Sequence, residues 1–214
     1  MNQWPGVLEP ELLHPGYVSD AARLADASKA GDWSTVFGIL SSCARPVVNQ
    51  WRIDGRAWFT PLHQAAWLGA PVEVAEQLVT AGAWRSLRTA DGHRAIDLAS
   101  ERGHRHLHGV LEVITPGGPE VAKYAAWDER LAELIEERTR GLPPVRFRAV
   151  PTEVIDADRL DALWFPYPGM YGGFRMRIDD DALIVESWSR VVSGWGQRHA
   201  ITDAGCVLLE SGLD

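Results

Sequence analysis

The sequence predicts an α+β protein, with helix pairs in its first half, followed by a long linker helix and a small antiparallel β-meander. Three patterns support this fold class. A segment of the first half occurs again after about 33 residues, apolar residues recur at three- and four-residue steps between residues 121 and 135, and apolar and polar residues alternate from Val145 onward. A chain of 214 residues that is 46% hydrophobic is long enough to bury a core for such a fold.

A sequence repeat lies in the first half of the chain. TPLHQAAWLGAPVEVAEQLVTAGA, residues 60–83, aligns with RAIDLASERGHRHLHGVLEV, residues 94–113, and Gly69 falls over Gly103. A weaker copy precedes them at residues 23–42, and its polar positions suit the terminal unit of a stack, whose outer face meets water. The pattern therefore predicts about three stacked helix pairs, which is close to the minimum for a stable stack.

This repeat resembles the ankyrin repeat. TPLH, residues 60–63, matches the opening of the first helix in that family. Ala65 and Ala66 match its tightly packed face, and the GA pair at residues 82–83 ends the second helix. The resemblance implies an α-solenoid of about three ankyrin repeats over residues 20–114. It also implies a function in which a concave groove and hairpin fingers bind another protein.

Three histidines lie close together in GHRHLH, residues 103–108, and neutral imidazole is a common metal ligand. On a helix, His104 and His108 would share one face, while His106 would point elsewhere. In the register of the resemblance, however, His104 lies in the turn between two helices. Since no carboxylate stands at a spacing that would complete a site, we predict neither a metal site nor a bound cofactor.

Five aromatic residues are predicted to form a partner-binding surface in the helical half. Trp58 and Phe59 lie in an insertion that lengthens a hairpin finger, and the ankyrin resemblance places Trp67 on the concave face. Trp51 and Trp84 lie in or beside the flanking hairpin segments. Exposed aromatic side chains commonly mark contact surfaces. The alternative is that these rings pack against the C-terminal domain or the N-terminal arm.

A long helix is predicted after the repeats. Pro119 can occupy its first turn, and Gly141 followed by two prolines ends it. Its apolar stripe consists of Val121, Tyr124, Trp127, Leu131, Leu134 and Ile135. The predicted domains are an N-terminal arm at residues 1–19, the repeats at 20–114, the linker helix at 115–141 and a β-rich domain at 142–214.

Alternation with a period of two predicts the strands of the C-terminal domain. These are VRFRAV at residues 145–150, GFRMRI at 173–178, ALIVESWSRVV at 182–192, RHAIT at 198–202 and CVLLE at 206–210. The turn-forming segments between them favour pairing of sequential strands, which predicts the antiparallel meander. Residues 164–212 also look like a tail found on some small bacterial ankyrin-repeat proteins, and that likeness implies no catalytic role.

The segment FPYPGMYGGF, residues 165–174, is rich in glycine and proline. It lacks the Gly-Lys-Ser/Thr ending of a phosphate-binding loop, and a strand follows it where a nucleotide site would need a helix. A nucleotide site is therefore not predicted. The turns of this segment are instead expected to bring Tyr167, Met170 and Tyr171 to one surface of the tail.

The alternative function is a small enzyme of the hydrolase, lyase or cyclase type, with a pocket at the seam between the repeats and the tail. Glu186 and His199 on neighbouring predicted strands could form an acid–base pair. Arg190 or Arg198 could then hold a substrate carboxylate. The competing interpretation is a salt-bridge ladder on a half-buried sheet. No nucleophile motif is present, so nothing in the sequence requires catalysis.

The composition narrows the partners and the compartment. A net charge of −8 disfavours nucleic acid, and no apolar run approaches the roughly 20 residues that span a bilayer. The N-terminus lacks the features of a secretory signal, and two distant cysteines, Cys43 and Cys206, suit a reducing compartment. We therefore predict a cytoplasmic scaffold that binds another protein, with a small molecule as a further candidate ligand. The sequence leaves the oligomeric state open.

Overall fold

Two units divide the chain in the computed structural model, which describes residues 2–42, 47–114, 117–190 and 196–213. The helical unit comprises Glu9–Ile114, and the sheet unit combines Met1–Leu8 with Thr115–Asp214. The sheet unit is therefore built from both ends of the chain. As a result, the predicted arm at residues 1–19 is divided between the two units.

The helical unit contains six α-helices among its described residues. They are α1 (Pro15–Ala30), α2 (Trp33–Ser42), α3 (Pro61–Leu68), α4 (Val72–Thr80), α5 (Ala95–Glu101) and α6 (His108–Leu111). Short 3-10 turns, Pro10–Leu12 and Arg105–Leu107, precede α1 and α6.

Local sequence determines where α3 begins and ends. The backbone N–H of Thr60 donates to Nδ1 of His63 at 3.2 Å, so in the neutral ring the proton is on Nε2, which lies 3.0 Å from the Leu87 carbonyl oxygen and donates to it. Gly69 ends the helix in the left-handed conformation, with φ of 65°. A Cβ at this position would lie 2.6 Å from the His104 ring, so the site favours glycine for a second reason.

Small residues allow close helix contacts in the core of the helical unit. Ala65 and Ala66 on α3 and Ala99 on α5 are fully buried, and α3 contacts α5. Leu62 and Leu78 are also buried there. Burial of one leucine side chain stabilises a fold by about 1.5–3 kcal/mol, so this shared apolar core is the main source of stability for the short helices.

The prediction of an ankyrin-type solenoid was wrong. Equivalent repeats would have second helices of similar length, but α2 has 10 residues, α4 has 9 and α6 has only 4. The first helices also differ, since α1 has 16 residues and α3 has 8. No strand forms in the described residues between the pairs, 47–60 and 81–94, so turns and extended chain replace the predicted hairpin fingers. The helices are not arranged as an ankyrin solenoid.

The sheet unit contains one six-stranded sheet and two α-helices in the part of the chain that the structure describes. The strands are β1 (Asn2–Gln3), β2 (Leu163–Tyr167), β3 (Gly172–Asp179), β4 (Ala182–Trp188), β5 (Gly196–Thr202) and β6 (Gly205–Leu213). The helices are α7 (Gly118–Thr139) and α8 (Glu153–Ala157). Strand order in the sheet follows the chain from β1 to β6.

The sheet is mixed, which corrects the predicted antiparallel meander. Strands β2 to β6 pair antiparallel in sequence, but β1 runs parallel to β2, with Asn2 beside Leu163. Trp4 fixes this pairing because its backbone N–H donates to the Trp164 carbonyl at 2.7 Å. Its indole Nε1 also donates to the Arg148 carbonyl at 2.9 Å.

The predicted strand VRFRAV, residues 145–150, does not form. Phe147 makes an isolated antiparallel bridge to Val7, and the rest of the segment is irregular. Arg148 is buried beside the Trp4 ring, with 5.2 Å between its guanidinium carbon and the ring centroid. Burial lowers the pKa of Arg148 to about 10. Instead of forming a strand, this segment packs against the N-terminal segment through Phe147 and Arg148.

The long helix α7 covers part of the sheet. It contacts β5 and β6, and its buried residues include Tyr124, Trp127, Leu131, Leu134 and Ile135. Val121, which the sequence pattern placed on the same stripe, is exposed. Among the described residues, no helix combines the length and apolar character needed to cross a bilayer.

Candidate functional site

A groove of about 600 Å³ opens on the helical unit. Helix α1 contributes Ala25, Asp26 and Lys29, helix α3 contributes Gln64, Trp67 and Leu68, and the segment before α3 contributes Arg52, Gly55, Arg56, Ala57, Trp58 and Phe59. Three of the predicted partner-binding aromatics, Trp58, Phe59 and Trp67, therefore line one concavity.

Trp67 is the most exposed of these three rings. It leaves 37% of its surface accessible, although a side chain of this size normally buries most of its area. The edge of Phe59 packs against it, with 6.1 Å between ring centroids and planes 80° apart. The guanidinium of Arg102 lies over the Trp67 ring, 4.3 Å from its centroid. The ring is thus held by two neighbours while a large apolar surface stays open to solvent.

The backbone at Trp58 is in the left-handed region, with φ of 54°. This conformation is unfavourable for a bulky side chain and persists where the surrounding structure fixes it. The Trp58 ring lies 6.4 Å from the buried Trp51 ring, and the preceding carbonyl of Ala57 accepts a hydrogen bond from the N–H of Ala90 at 3.0 Å. These contacts hold the half-buried Trp58 at the rim of the groove.

The groove carries more positive than negative charge. Lys29, Arg52 and Arg56 line it, against a single lining carboxylate, Asp26. Arg52 and Asp26 form an ion pair at the surface. These charged residues were not predicted as site residues because they lie on separate elements. The position of Arg102 could have been predicted from the repeat alignment. Arg102 directly precedes Gly103, just as Leu68, which lines the groove, directly precedes Gly69.

Trp51 and Trp84 were wrongly predicted as contact residues. Both side chains are buried in the interior of the helical unit. Asn49 accounts for this inward path, because its side-chain oxygen accepts from the Trp84 N–H at 2.8 Å and its amide nitrogen donates to the Gly82 carbonyl at 2.9 Å. The chain therefore folds inward where a projecting finger was expected.

The clustered histidines make separate structural contacts. His106 Nε2 lies 3.0 Å from the Ala70 carbonyl oxygen, His108 Nε2 lies 3.3 Å from the Ser100 hydroxyl, and His104 packs over Gly69. In the ranges that the structure describes, no group of three or more His, Cys, Asp or Glu side chains is placed to hold a metal ion. Cys43 lies outside the described residues, and Cys206 is an exposed free cysteine.

Glu186 lies at the centre of a salt-bridge ladder on one face of the sheet. Arg175 on β3 pairs with it at 3.0 Å and Arg198 on β5 at 3.2 Å, while Arg198 also reaches Glu210 on β6 at 2.8 Å. Burial raises the pKa of Glu186, but the hydrogen bonds and charges of the two arginines outweigh this and hold the pKa below its ordinary value. The carboxylate is therefore charged and already occupied.

His199 lies on the opposite face of the same sheet. Arg198 pairs with Glu186 and the next residue, His199, pairs with Val185, and successive side chains of a strand point to opposite faces. The acid–base pair of Glu186 and His199 therefore does not form. Burial lowers the pKa of His199, which is 8% exposed, and the positive charge of Arg138 lowers it further, while Glu137 opposes both effects.

The remaining predicted tail residues, Arg190 and the group of Tyr167, Met170 and Tyr171, do not form a common site either. Arg190 is exposed just beyond the end of β4, where its backbone N–H donates to the Met170 carbonyl at 3.0 Å. Tyr167 and Met170 are buried in the sheet unit, whereas Tyr171 is 78% exposed. Only Tyr171 of these three can contact a partner, so the predicted tail surface is reduced to one residue.

No protein-family model matches the chain, and no curated protein matches it either. The likeness to ankyrin repeats is therefore one of sequence motifs alone, since the solenoid that it implied does not form. The function must be inferred from the groove itself.

Proposed function

We propose that the chain is a cytoplasmic protein-recognition module that binds an extended segment of a partner protein in the groove of the helical unit. The observation that carries the proposal is the exposed face of Trp67, which Phe59 and Arg102 hold in place. Tryptophan is enriched among the residues that dominate binding energy at protein interfaces. A ring that is already ordered loses little conformational entropy on binding, which favours affinity.

The geometry of the sheet supports no second candidate. The enzyme hypothesis needs Glu186 and His199 in one site, but they lie on opposite faces, and Glu186 is already paired with two arginines. Nucleic acid and membranes are not among the proposed partners, and the proposal requires no cofactor.

Selection from a library of short displayed peptides tests the proposal. Peptides selected on the wild-type chain are then measured by fluorescence anisotropy against Trp67→Ala and Trp188→Ala. Trp188 is a matched control, since it is 38% exposed and belongs to the sheet unit. We expect Trp67→Ala to weaken binding by about tenfold or more, because the lost ring is the anchor, and Trp188→Ala to leave it unchanged.

Equal affinity of the selected peptides for wild type and Trp67→Ala would contradict the proposal. Circular dichroism of each variant shows whether the helical unit remains folded. Trp67 is a surface residue, so its loss should leave the fold intact.

A further inference from the structure

The charges around Trp67 indicate which kind of segment fits the groove, and this inference rests on the proposed function. Lys29 and Arg56 line the groove, and in the described part of the chain neither makes an ion pair. Arg102 adds a third cation, stacked on the Trp67 ring. The remaining lining cation, Arg52, already pairs with Asp26.

This local positive charge contrasts with the rest of the molecule. The whole chain has a net charge of −8, so an acidic ligand is repelled by the protein at large and attracted only at sites where cations gather. Lys29 and Arg56 in the groove and Arg102 beside it make no ion pair with a carboxylate among the described residues. A basic segment would meet repulsion at all three.

We propose that the groove binds an acidic segment of a partner protein that places one apolar or aromatic side chain against Trp67. Carboxylates of the segment pair with Lys29 on α1 and with Arg56 on the chain before α3. The apolar anchor supplies most of the affinity, while the ion pairs supply selectivity and a faster association rate.

Nucleic acid is the other polyanion that aromatic and cationic side chains can bind. The observations favour a peptide because tight binding to a phosphate backbone depends on many neutralised phosphates, and this groove offers few cations on an acidic chain. A fluorescent oligothymidine is therefore included as a probe in the test.

The test compares the selected peptides on wild type, Arg56→Glu and Arg105→Glu. Arg105 is a matched control because it is an exposed arginine of the helical unit that does not line the groove. We expect the selected peptides to be rich in Asp and Glu. Arg56→Glu should weaken their binding by about threefold to tenfold, since it replaces an attraction by a repulsion, and Arg105→Glu should have no more than about a twofold effect.

A charge-neutral version of each peptide completes a double-mutant cycle between the peptide carboxylates and Arg56. Replacing its Asp and Glu by Asn and Gln should weaken binding to wild type but should not weaken binding to Arg56→Glu to the same extent, because that variant has already lost the attraction at residue 56. High salt should weaken binding to wild type in the same sense.

The possible failures are distinguishable. Neutral or basic peptides that still depend on Trp67 would overturn the acidic ligand and leave the proposed function standing. Peptides that bind equally to wild type and Trp67→Ala would overturn both. An oligothymidine that binds as tightly as the peptides, with the same loss in Arg56→Glu, would overturn the acidic segment in favour of nucleic acid.

Discussion

The groove of the helical unit and the ladder face of the sheet unit use the same residue types in opposite ways. Each has an exposed tryptophan, Trp67 at 37% and Trp188 at 38%, and each has at least two arginines. Trp188 stacks on Trp164, with ring centroids 5.0 Å apart and planes 25° apart, and the arginines around it pair with Glu186 and Glu210. In the groove, the lining cations Lys29 and Arg56 make no ion pair among the described residues, and Trp67 stays 37% exposed beside Phe59 and Arg102.

This difference shows that composition alone does not distinguish side chains that are paired within their unit from side chains that are left open. Charged and aromatic side chains whose interactions are satisfied within their own unit contribute to stability, whereas the same side chains left open contribute to recognition. Substitutions in the ladder should therefore change the free energy of unfolding, and substitutions in the groove should change binding.

The largest expected effect is on the free energy of unfolding, and it distinguishes the buried Trp51 from the exposed Trp67. Trp51→Ala should lower the free energy of unfolding by about 3–5 kcal/mol, because the ring is fully buried and its loss leaves a cavity. Trp67→Ala should lower it by about 1 kcal/mol, since only the contacts with Phe59 and Arg102 are lost. Urea unfolding followed by circular dichroism measures both. Similar losses for the two variants would mean that Trp67 is a core residue.

A smaller effect on stability is expected for the salt-bridge ladder, and almost none for the cations of the groove. Glu186→Gln should destabilise the chain by about 1 kcal/mol, because Arg175 and Arg198 then repel each other without a carboxylate between them. Arg56→Gln should change stability by less than about 0.5 kcal/mol. Thermal unfolding of the two variants beside wild type provides the comparison. A larger loss for Arg56→Gln would contradict the view that its side chain is unengaged.

The smallest expected effect is a dependence on pH that belongs to the sheet unit. The pKa of His199 in the folded chain lies below its ordinary value of 6.5, so the unfolded chain takes up the proton first. The free energy of unfolding should therefore fall as the pH drops below about 6.5, and this loss is complete below the folded pKa. Urea unfolding at several pH values should show a flatter acid slope for His199→Gln than for wild type.

Asp128 contributes to the same pH range with the opposite sign. Burial raises its pKa to about 6, although hydrogen bonds from Thr152 oppose this, so the folded chain binds this proton more tightly than the unfolded chain. Protonation of Asp128 therefore raises the free energy of unfolding as the pH falls below about 6. This contribution is lost as the pH rises above about 6. The effect of His199 must therefore be measured as a difference between variant and wild type. An unchanged slope in His199→Gln would show that its burial does not affect titration.

Local patterns predicted local structure. The stripe on α7 and the alternation in β3 to β5 follow directly from the periods of helix and strand, because each element buries one face. Pairing between distant segments leaves no such pattern. The parallel contact of β1 with β2 joins residues that are about 160 positions apart, and the burial of Arg148 depends on it, so both were missed.

The candidate site was predicted in part for the same reason. Trp58, Phe59 and Trp67 lie close together in sequence, and all three line the groove, while their role in binding stays a prediction. Trp51 and Trp84 were misplaced because their position depends on side-chain bonds of Asn49, which no periodicity reveals. In the sheet, neighbouring strands were expected to bring Glu186 and His199 together, but a one-residue difference in register decides the face on which each side chain lies.

The discontinuity of the sheet unit has a consequence for folding during synthesis. The helical unit is one uninterrupted stretch, Glu9–Ile114, so all its contacts are available once that stretch has left the ribosome. The first strand, by contrast, must wait for its neighbour at Leu163–Tyr167. During that interval Trp4 lacks the residues that bury it, so the newly made N-terminal segment exposes an indole that the finished protein conceals.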